Sequence, residues 1–440
     1  MNALLSTFIM GGIHPRESKG LTEHLPVEIM PLPDEVEILL LQHFGATCEA
    51  IVNKKDRVQE GDLIGKVKAG LGANIHASIT GNVANIGSSQ GTLSLNIPSI
   101  TITRDTEAKD RVYTPQDWKG LTPQELLQRI KDAGIVGIGG AGFPTHVKLS
   151  PPPDARVDIL ILNGAECEPY LTTDHRLMLE RPDEIIEGAK ILLSILGIKQ
   201  CYIGIEANKS DAAKILLKSV ETQDLNGLKI QISPLKVKYP QGSEKQLIES
   251  ITGRKVPGYG LPFDIGIIVQ NVGTAKAVYD AVVLNKPLYE KVVTISGKGI
   301  ARPANLQVRV GTRINDLVRY LGGTTTDLAK IVIGGPMMGF AVSSLDIPVT
   351  KTVSGILFLT RDEIDDQPHG PCIRCGWCVE ACPMGLQPNE MGLYVESGRA
   401  ADTAHLGPFE CFECGCCSYV CPAKRPLVQF IRLAKLKAKR

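Results

Sequence analysis

The sequence predicts a multidomain α/β chain in which two small β domains flank a covered parallel sheet and a cysteine-rich domain closes the C-terminus. Three observations predict it. Between residues 157 and 283 short apolar runs alternate with helical stretches, the pattern of a parallel sheet with helices on both faces. To either side, short β runs are punctuated by glycine turns. Near the end the chain writes Cys372-x-x-Cys375-x-x-Cys378-x-x-x-Cys382-Pro383 and repeats it as Cys411-x-x-Cys414-x-x-Cys417-x-x-x-Cys421-Pro422.

Composition bounds the reading. A length of 440 residues suggests about three domains with room for substantial cores. The 43% hydrophobic and 22% charged content is ordinary for globular protein, and a net charge of +1 gives no general attraction to nucleic acid. Eight of the 12 cysteines lie in the two runs. Cys48, Cys167, Cys201 and Cys416 are too scattered for a disulfide framework, which suits a reducing compartment. The apolar start has no preceding Lys or Arg and no small-x-small site, so no signal peptide is expected. No apolar run approaches the ~20 residues of a membrane span, and any membrane link is expected through a partner.

Residues 1–110 read as small β structure. The segments 58–65 and 76–83 resemble the two halves of a biotinyl/lipoyl-type barrel, a barrel-sandwich domain. The tight turn that would display a modifiable Lys has none near 75–81, so the domain is expected to dock or pack without carrier chemistry. His14 and His76 lack Cys or His partners at ligand spacing and read as turn or core residues.

Residues 111–285 form the Rossmann-like unit. A short amphipathic helix over 123–133 leads into Gly134-Ile-Val-Gly137-Ile-Gly139-Gly140-Ala-Gly142-Phe143-Pro144-Thr145-His-Val-Lys148. Glycines there let flat or anionic groups approach the backbone. The loop fails the usual dinucleotide test, because a helix precedes it and prolines at 144 and 151–153 leave barely one turn after it. Strands are expected over 157–162, 201–205, 228–232 and 265–269, with helices over 182–196, 211–220, 246–251 and 275–283. Ligands of such sheets bind beyond the carboxyl ends of strands, where Asn163-Gly-Ala-Glu166-Cys-Glu168-Pro169 and Asn271-Val-Gly-Thr274 stand. Cys167, between two acids, reads as a spectator.

Residues 286–360 return to short strands, with Met337 and Met338 read as packing. Residues 361–440 hold a polar acidic linker and then the cysteine runs. Four thiolates at this spacing, closed twice by Cys-Pro, fit iron–sulfur ligation, whereas four-cysteine zinc needs only two pairs. The run resembles that of bacterial two-cluster ferredoxins. That resemblance implies one [4Fe–4S] cluster on Cys372, Cys375, Cys378 and Cys421 and a second on Cys411, Cys414, Cys417 and Cys382. Beyond Pro422 a helix over 427–440 carries Arg432, Lys435, Lys437, Lys439 and Arg440. They suit the helix dipole or, alternatively, an acidic partner or lipid surface.

Four motifs in order, Gly-x-Gly-Gly-Ala-Gly-Phe-Pro-Thr-x-x-Lys, Asn-x-x-Glu-x-Glu-Pro, Tyr239-x-x-Gly242-x-Glu244 and Asn271-Val-x-Thr274, resemble the flavin- and NADH-binding subunit of respiratory complex I. With Gly11-Gly12-Ile13-His14-Pro15 and the two cysteine runs, the whole chain resembles the RnfC family. Its members are subunits of Rnf complexes, membrane-bound ferredoxin:NAD⁺ oxidoreductases coupled to ion transport. The resemblance implies FMN, NAD(H) and two [4Fe–4S] clusters as cofactors, and a soluble-ligand-binding β-grasp (SLBB) module over 286–360. It also implies a peripheral place on the cytoplasmic membrane face. The implied partners are integral-membrane Rnf subunits and a ferredoxin-like subunit, with ferredoxin reached indirectly. It assigns Gly137, Gly139, Gly140, Lys148, Asn163, Glu166, Gly242, Glu244, Asn271 and Thr274 to the flavin side. Phe143, Lys148, Glu168 and Tyr239 fall to the dinucleotide, and Glu166 and Glu168 are the candidate catalytic acids. Ile138 stands where the complex I loop carries Arg, Ala165 where it carries Asp, and Pro151 where an aromatic helps stack the dinucleotide. Two other functions use the same cofactors: a free-standing flavin/iron–sulfur reductase resembling cobalamin reductases, and a non-catalytic electron relay.

Overall fold

Four parallel strands, Ile159–Asn163, Gln200–Glu206, Lys229–Leu235 and Ile267–Asn271, form the central sheet of the computed structural model, which describes residues 5–438. Their spatial order is third, second, first, fourth. The strand order therefore reverses between the first and fourth strands, where a crevice opens at their carboxyl ends. Asn163 and Asn271 end these two strands and sit opposite each other in register.

The strands are apolar on both faces, as full covering requires. Leu160, Leu162, Ile203 and Ile268 meet the helices Pro123–Asp132, Pro182–Leu196, Ser210–Thr222 and Val272–Val283. Ile161 and Val269 point the other way, onto Leu247 and Ile248 of the helix Glu244–Thr252. Helix starts follow local chemistry. Thr122 and Glu125 close a capping box before Pro123, and Pro182 opens the longest helix, which ends on the left-handed Gly197. Helices Pro182–Leu196 and Val272–Val283 touch so closely at Gly188 that a Cβ there would lie 2.0 Å from the Ala275 carbonyl oxygen.

The barrel-sandwich domain packs an antiparallel sheet (Glu35–Leu39, Ile97–Arg104, Gly81–Ser89, Arg57–Val58) on a smaller one (Glu49–Ala50, Leu63–Lys66, Ile75–His76). Val36, Ile38, Ile64, Ile75, Ile100 and Ile102 fill the space between them. The β-grasp unit is a six-stranded sheet ordered Val27–Ile29, Ala304–Arg309, Glu290–Ser296, Gly355–Thr360, Leu328–Ile333 and Phe340–Val342, with the helix Ile314–Tyr320 packed on it. Its first strand comes from the N-terminal segment. That segment also bridges to the flavin unit, Ser6 to Leu235 and Ile13 to Tyr239, so it laces the domains together.

The C-terminal unit has only short helices around its cysteines, and it is internally repeated. Arg374 and Glu413, one residue before each second cysteine, take positive φ (55° and 65°), and Gly376 and Gly415 just after it do the same (81° and 83°). Each run then enters a one-turn helix, Trp377–Glu380 or Cys416–Tyr419. Of the basic residues on the last helix, Leu427–Lys437, Arg432 and Lys435 pair with Glu413 at 2.7 and 2.6 Å. Lys439 and Arg440 lie outside the described residues.

Candidate functional site

The glycine loop is a hairpin closed on itself: the Gly137 N–H donates to the Phe143 carbonyl (2.9 Å) and the Thr145 N–H to that of Ile135 (3.0 Å). The Ile138 N–H donates to Thr274 Oγ1 (2.9 Å), tying the loop to the start of the helix Val272–Val283. Gly139 and Gly140 are exposed, and a Cβ on Gly140 would meet open space. The loop thus offers bare backbone to the crevice.

The crevice floor is built from the two facing asparagines. Asn163 Nδ2 donates to the Gly242 carbonyl (2.7 Å), and its Oδ1 accepts from the Ala165 N–H (3.1 Å). Asn271 caps its own helix by accepting from the Gly273 N–H (2.6 Å), and its amide donates to Asp174 (2.7 Å). Gly242 leaves room there, because a Cβ would stand 3.5 Å from both Ala165 Cβ and Asn163 Oδ1. Lys148 lies at the rim, ion-paired with Glu244 at 2.5 Å. Residues 137–140, Lys148, Asn163, Gly242, Glu244, Asn271 and Thr274 therefore converge on one crevice. Small floor residues, exposed loop backbone and one rim cation suit a flat group with an anionic tail, such as FMN. Ile138 packs its side chain beside Gly273, and Ala165 is fully buried in the core under the floor.

The two acids have separate surroundings. Glu166, at φ 48°, accepts from the N–H groups of Asp174 (2.7 Å) and His175 (3.2 Å), so its carboxylate caps the helix Thr173–Glu180. Glu168 accepts from the N–H groups of Met337 (3.1 Å) and Met338 (2.9 Å) in the β-grasp loop, and burial pushes its pKa up to about 7. Tyr239 donates to the Cys414 carbonyl (2.7 Å) and lies 3.5 Å from Glu168, so both stand between the crevice and the second cysteine run.

Four thiols line each of two cavities. Cys372, Cys375, Cys378 and Cys421 line one, with Arg425 beside them; Cys382, Cys411, Cys414 and Cys417 line the other, with Leu386 and Cys416. Among the described residues no three or more His, Cys, Asp or Glu side chains are arranged to hold a single metal ion. The donor sets thus suit a polynuclear cluster and not one tetrahedral zinc. Arg425 is only 1% exposed, and its Nε and Nη1 find no hydrogen-bond partner, an unspent positive charge where an anionic cluster would sit. The second cavity is the one that faces the crevice. The Gly12 N–H donates to the Ala381 carbonyl (3.0 Å), Gln246 Nε2 donates to that of Pro383 (3.1 Å), and a Cβ on Gly415 would stand 2.8 Å from the Met337 carbonyl oxygen. At the first cavity Ile373, Arg374, Cys375 and Trp377 are exposed.

Several residues of the site carry no motif. Buried Lys19 donates to the carbonyls of Glu166 (3.0 Å), Glu168 (2.9 Å) and Leu171 (2.5 Å), and Lys209 to that of Ala165 (2.7 Å); together they hold the loop that bears the two acids. Behind the glycine loop a cavity of about 300 Å³ is lined by Ile138, Gly139, Asp174, Gly273, Lys276 and Lys291. Burial and the neighbouring Glu166 raise the Asp174 pKa, while burial lowers that of Lys291 to about 7. Each sits far from its partners in sequence, and the apolar pattern around it gives no sign of a buried charge.

Comparison with known proteins places these features together. Residues 7–107 match the RnfC barrel sandwich hybrid domain, 130–280 the Nuo51 FMN-binding domain, 292–341 the SLBB domain and 371–424 the 4Fe-4S dicluster domain. Over 430 residues (97% of this chain, 93% of the other) the sequence is 47% identical to the RnfC-type subunit of the proton-translocating ferredoxin:NAD(+) oxidoreductase complex of Clostridium ljungdahlii. The chain belongs to the RnfC family. Other members come from the ion-translocating oxidoreductase complex of Rhodobacter capsulatus, 42% identical over 99% of this chain and 84% of its own length, and from the Na(+)-translocating ferredoxin:NAD(+) oxidoreductase complex of Acetobacterium woodii, 39% identical over 99% and 98%. The fold is also similar to a chain of air-oxidized NAD+-reducing [NiFe]-hydrogenase, with a TM-score of 0.53 and 19% identity over 72% of this chain and 63% of that one. This RnfC protein thus has the four expected domain types. Among its described residues no helix is long and apolar enough to cross a membrane.

Proposed function

We propose that this RnfC protein exchanges electrons between NAD(H) and the rest of an ion-translocating ferredoxin:NAD⁺ oxidoreductase. The flavin crevice is its hydride-accepting end and the two cysteine cavities are its one-electron outlet. The observation that carries this reading is the hydrogen bond from Tyr239 to the Cys414 carbonyl, which docks one cysteine run onto the wall of the crevice. When bound, FMN supplies the exchange between two-electron hydride chemistry and one-electron iron–sulfur chemistry.

The chain's own groups hold and orient. The glycine loop with Asn163, Gly242, Asn271 and Thr274 receives the flavin, and Lys148 offsets phosphate charge at the rim. Phe143, Lys148, Glu168 and Tyr239 face the dinucleotide, while Glu166 fixes the loop by capping the helix behind it. Cys382, Cys411, Cys414 and Cys417 hold the flavin-facing cluster; Cys372, Cys375, Cys378 and Cys421 hold the outer one. Exposed Ile373, Cys375 and Trp377 make that outer side the exit toward integral-membrane and ferredoxin-like subunits. The chain sits peripherally on the cytoplasmic face and meets ferredoxin only through them.

The test is an anaerobic spectrum of the purified chain carrying FMN, before and after NADH. Flavin and clusters should both bleach. Failure to take up FMN, or clusters left oxidised by NADH, would sink the reading.

A further inference from the structure

Phe143, the aromatic of the glycine loop, has a partner from another domain. Phe44 lies in the barrel segment that follows the strand Glu35–Leu39, and its ring stacks on Phe143 with centroids 5.9 Å apart and planes 29° apart. Phe44 is 57% exposed, so much of its ring faces solvent. The backbone around it is firmly held. The Phe44 N–H donates to the Gly142 carbonyl (3.1 Å), and the Ala46 N–H to that of Leu71 (2.8 Å). Gln42 is buried; its Nε2 donates to the Leu39 carbonyl (2.9 Å) and its Oε1 accepts from the Lys351 N–H (2.9 Å). Lys351 in turn donates from Nζ to the carbonyls of Asn74 and Gly134, both at 2.7 Å. Barrel, β-grasp segment and flavin unit all fix the loop, yet its largest apolar side chain is left in the open. A rigid exposed aromatic loses little conformational freedom when a flat ligand covers it.

We propose that Phe44 and Phe143 together form the stacking platform for the adenine of the dinucleotide. The proposal rests on the reading that NAD(H) binds at the glycine loop. The nicotinamide must reach the crevice floor at Asn163 and Asn271, so the adenylate half extends outward along the exposed backbone of residues 139–141 and arrives at Phe143 and Phe44. The barrel domain thereby supplies the second aromatic that Pro151 cannot supply from the flavin unit. Every base has a face that can stack on such a ring, and removing one ring costs roughly tenfold or more in affinity.

The test uses the full chain loaded with FMN and both clusters, with ferricyanide as acceptor. NADH is compared with reduced nicotinamide mononucleotide, which lacks the adenylate half. We expect Phe44→Ala to raise KM for NADH roughly tenfold with kcat nearly unchanged, and to leave KM for the mononucleotide as it was. Phe44→Trp should restore the NADH value. Phe44→Leu keeps apolar bulk without the aromatic face and should behave as Phe44→Ala, which covers the case in which the alanine variant folds poorly. An equal change for both nucleotides, or no change for either, overturns the platform. A wild-type chain that oxidises neither nucleotide overturns the dinucleotide reading itself, and the platform with it.

Discussion

Arg425 is the charge that sets the two cysteine cavities apart. It stands four residues after Cys421, where the other run places Leu386 four residues after Cys382. The buried guanidinium pairs with Glu396 and lies over the Phe430 ring (5.5 Å), with two nitrogens unspent toward the thiols. A fixed positive charge favours the more negative, reduced cluster, so it raises the reduction potential of the outer site. We expect Arg425→Leu to lower that potential by on the order of 50 mV, close to a tenfold change for one electron. Arg425→Lys should lower it less, and the other cluster should not move. Potentiometric titration followed by EPR measures both; equal shifts in the two clusters would contradict the assignment. Thr274 offers a second test at this scale. It is fully buried, and its hydroxyl accepts from the Ile138 N–H. Thr274→Val strands that donor at a cost of about 1–3 kcal/mol, and we expect FMN binding, measured by fluorescence, to weaken roughly tenfold. The motif residues of the crevice were legible from spacing alone. Lys19 and Phe44 were not, because each reaches the site from a distant segment that only the folded chain brings near.

At the scale of elements, the sheet was legible because strands covered on both faces read as plain apolar runs. The edges were less so. A strand expected over 228–232 runs on to Leu235 through Pro234, which an edge strand tolerates because it needs one ladder fewer. The helix Thr173–Glu180 escaped notice for a different reason. Thr172 looks like its cap but spends its hydroxyl on a buried network with Thr22 and Asn305, and the capping falls to Glu166 from an earlier loop. The junction of barrel and glycine loop carries its own pH dependence. Burial, with help from Lys351, pushes the pKa of His43 down to about 4 and that of His76 down to about 3. Both are thus neutral when folded, whereas unfolded histidines protonate near ~6.5. Depressed folded values mean that this stability is fully present above that pH and is lost as pH falls toward 4 and then 3. We expect Tm to fall over that window, by the equivalent of about 2 kcal/mol at pH 4, and to fall less in His43→Gln. Calorimetry at constant ionic strength decides it. A wild-type curve no steeper than that of the variant would reject the role of His43.

At the scale of the molecule, the N-terminal segment and the loop bearing Glu168 join four domains around one electron route. The ferredoxin-like runs alone could belong to a module merely trailing a larger enzyme. The contacts of Cys382 and Cys414 with the crevice wall make it part of the site, and they give the two clusters an order: Cys382, Cys411, Cys414 and Cys417 toward the flavin, Cys372, Cys375, Cys378 and Cys421 toward the outside. That order was hidden in the sequence, since the two runs are nearly the same and nothing in their spacing says which faces inward. It is tested most directly by NADH reduction of the FMN-loaded chain, frozen anaerobically and read by EPR, in two cysteine variants. Cys421→Ser should damage the outer cluster and leave the inner one reducible by NADH. Cys382→Ser should damage the inner cluster and leave the outer one oxidised, although dithionite still reduces it. An outer cluster that NADH reduces as fully in Cys382→Ser as in the wild type would contradict the order.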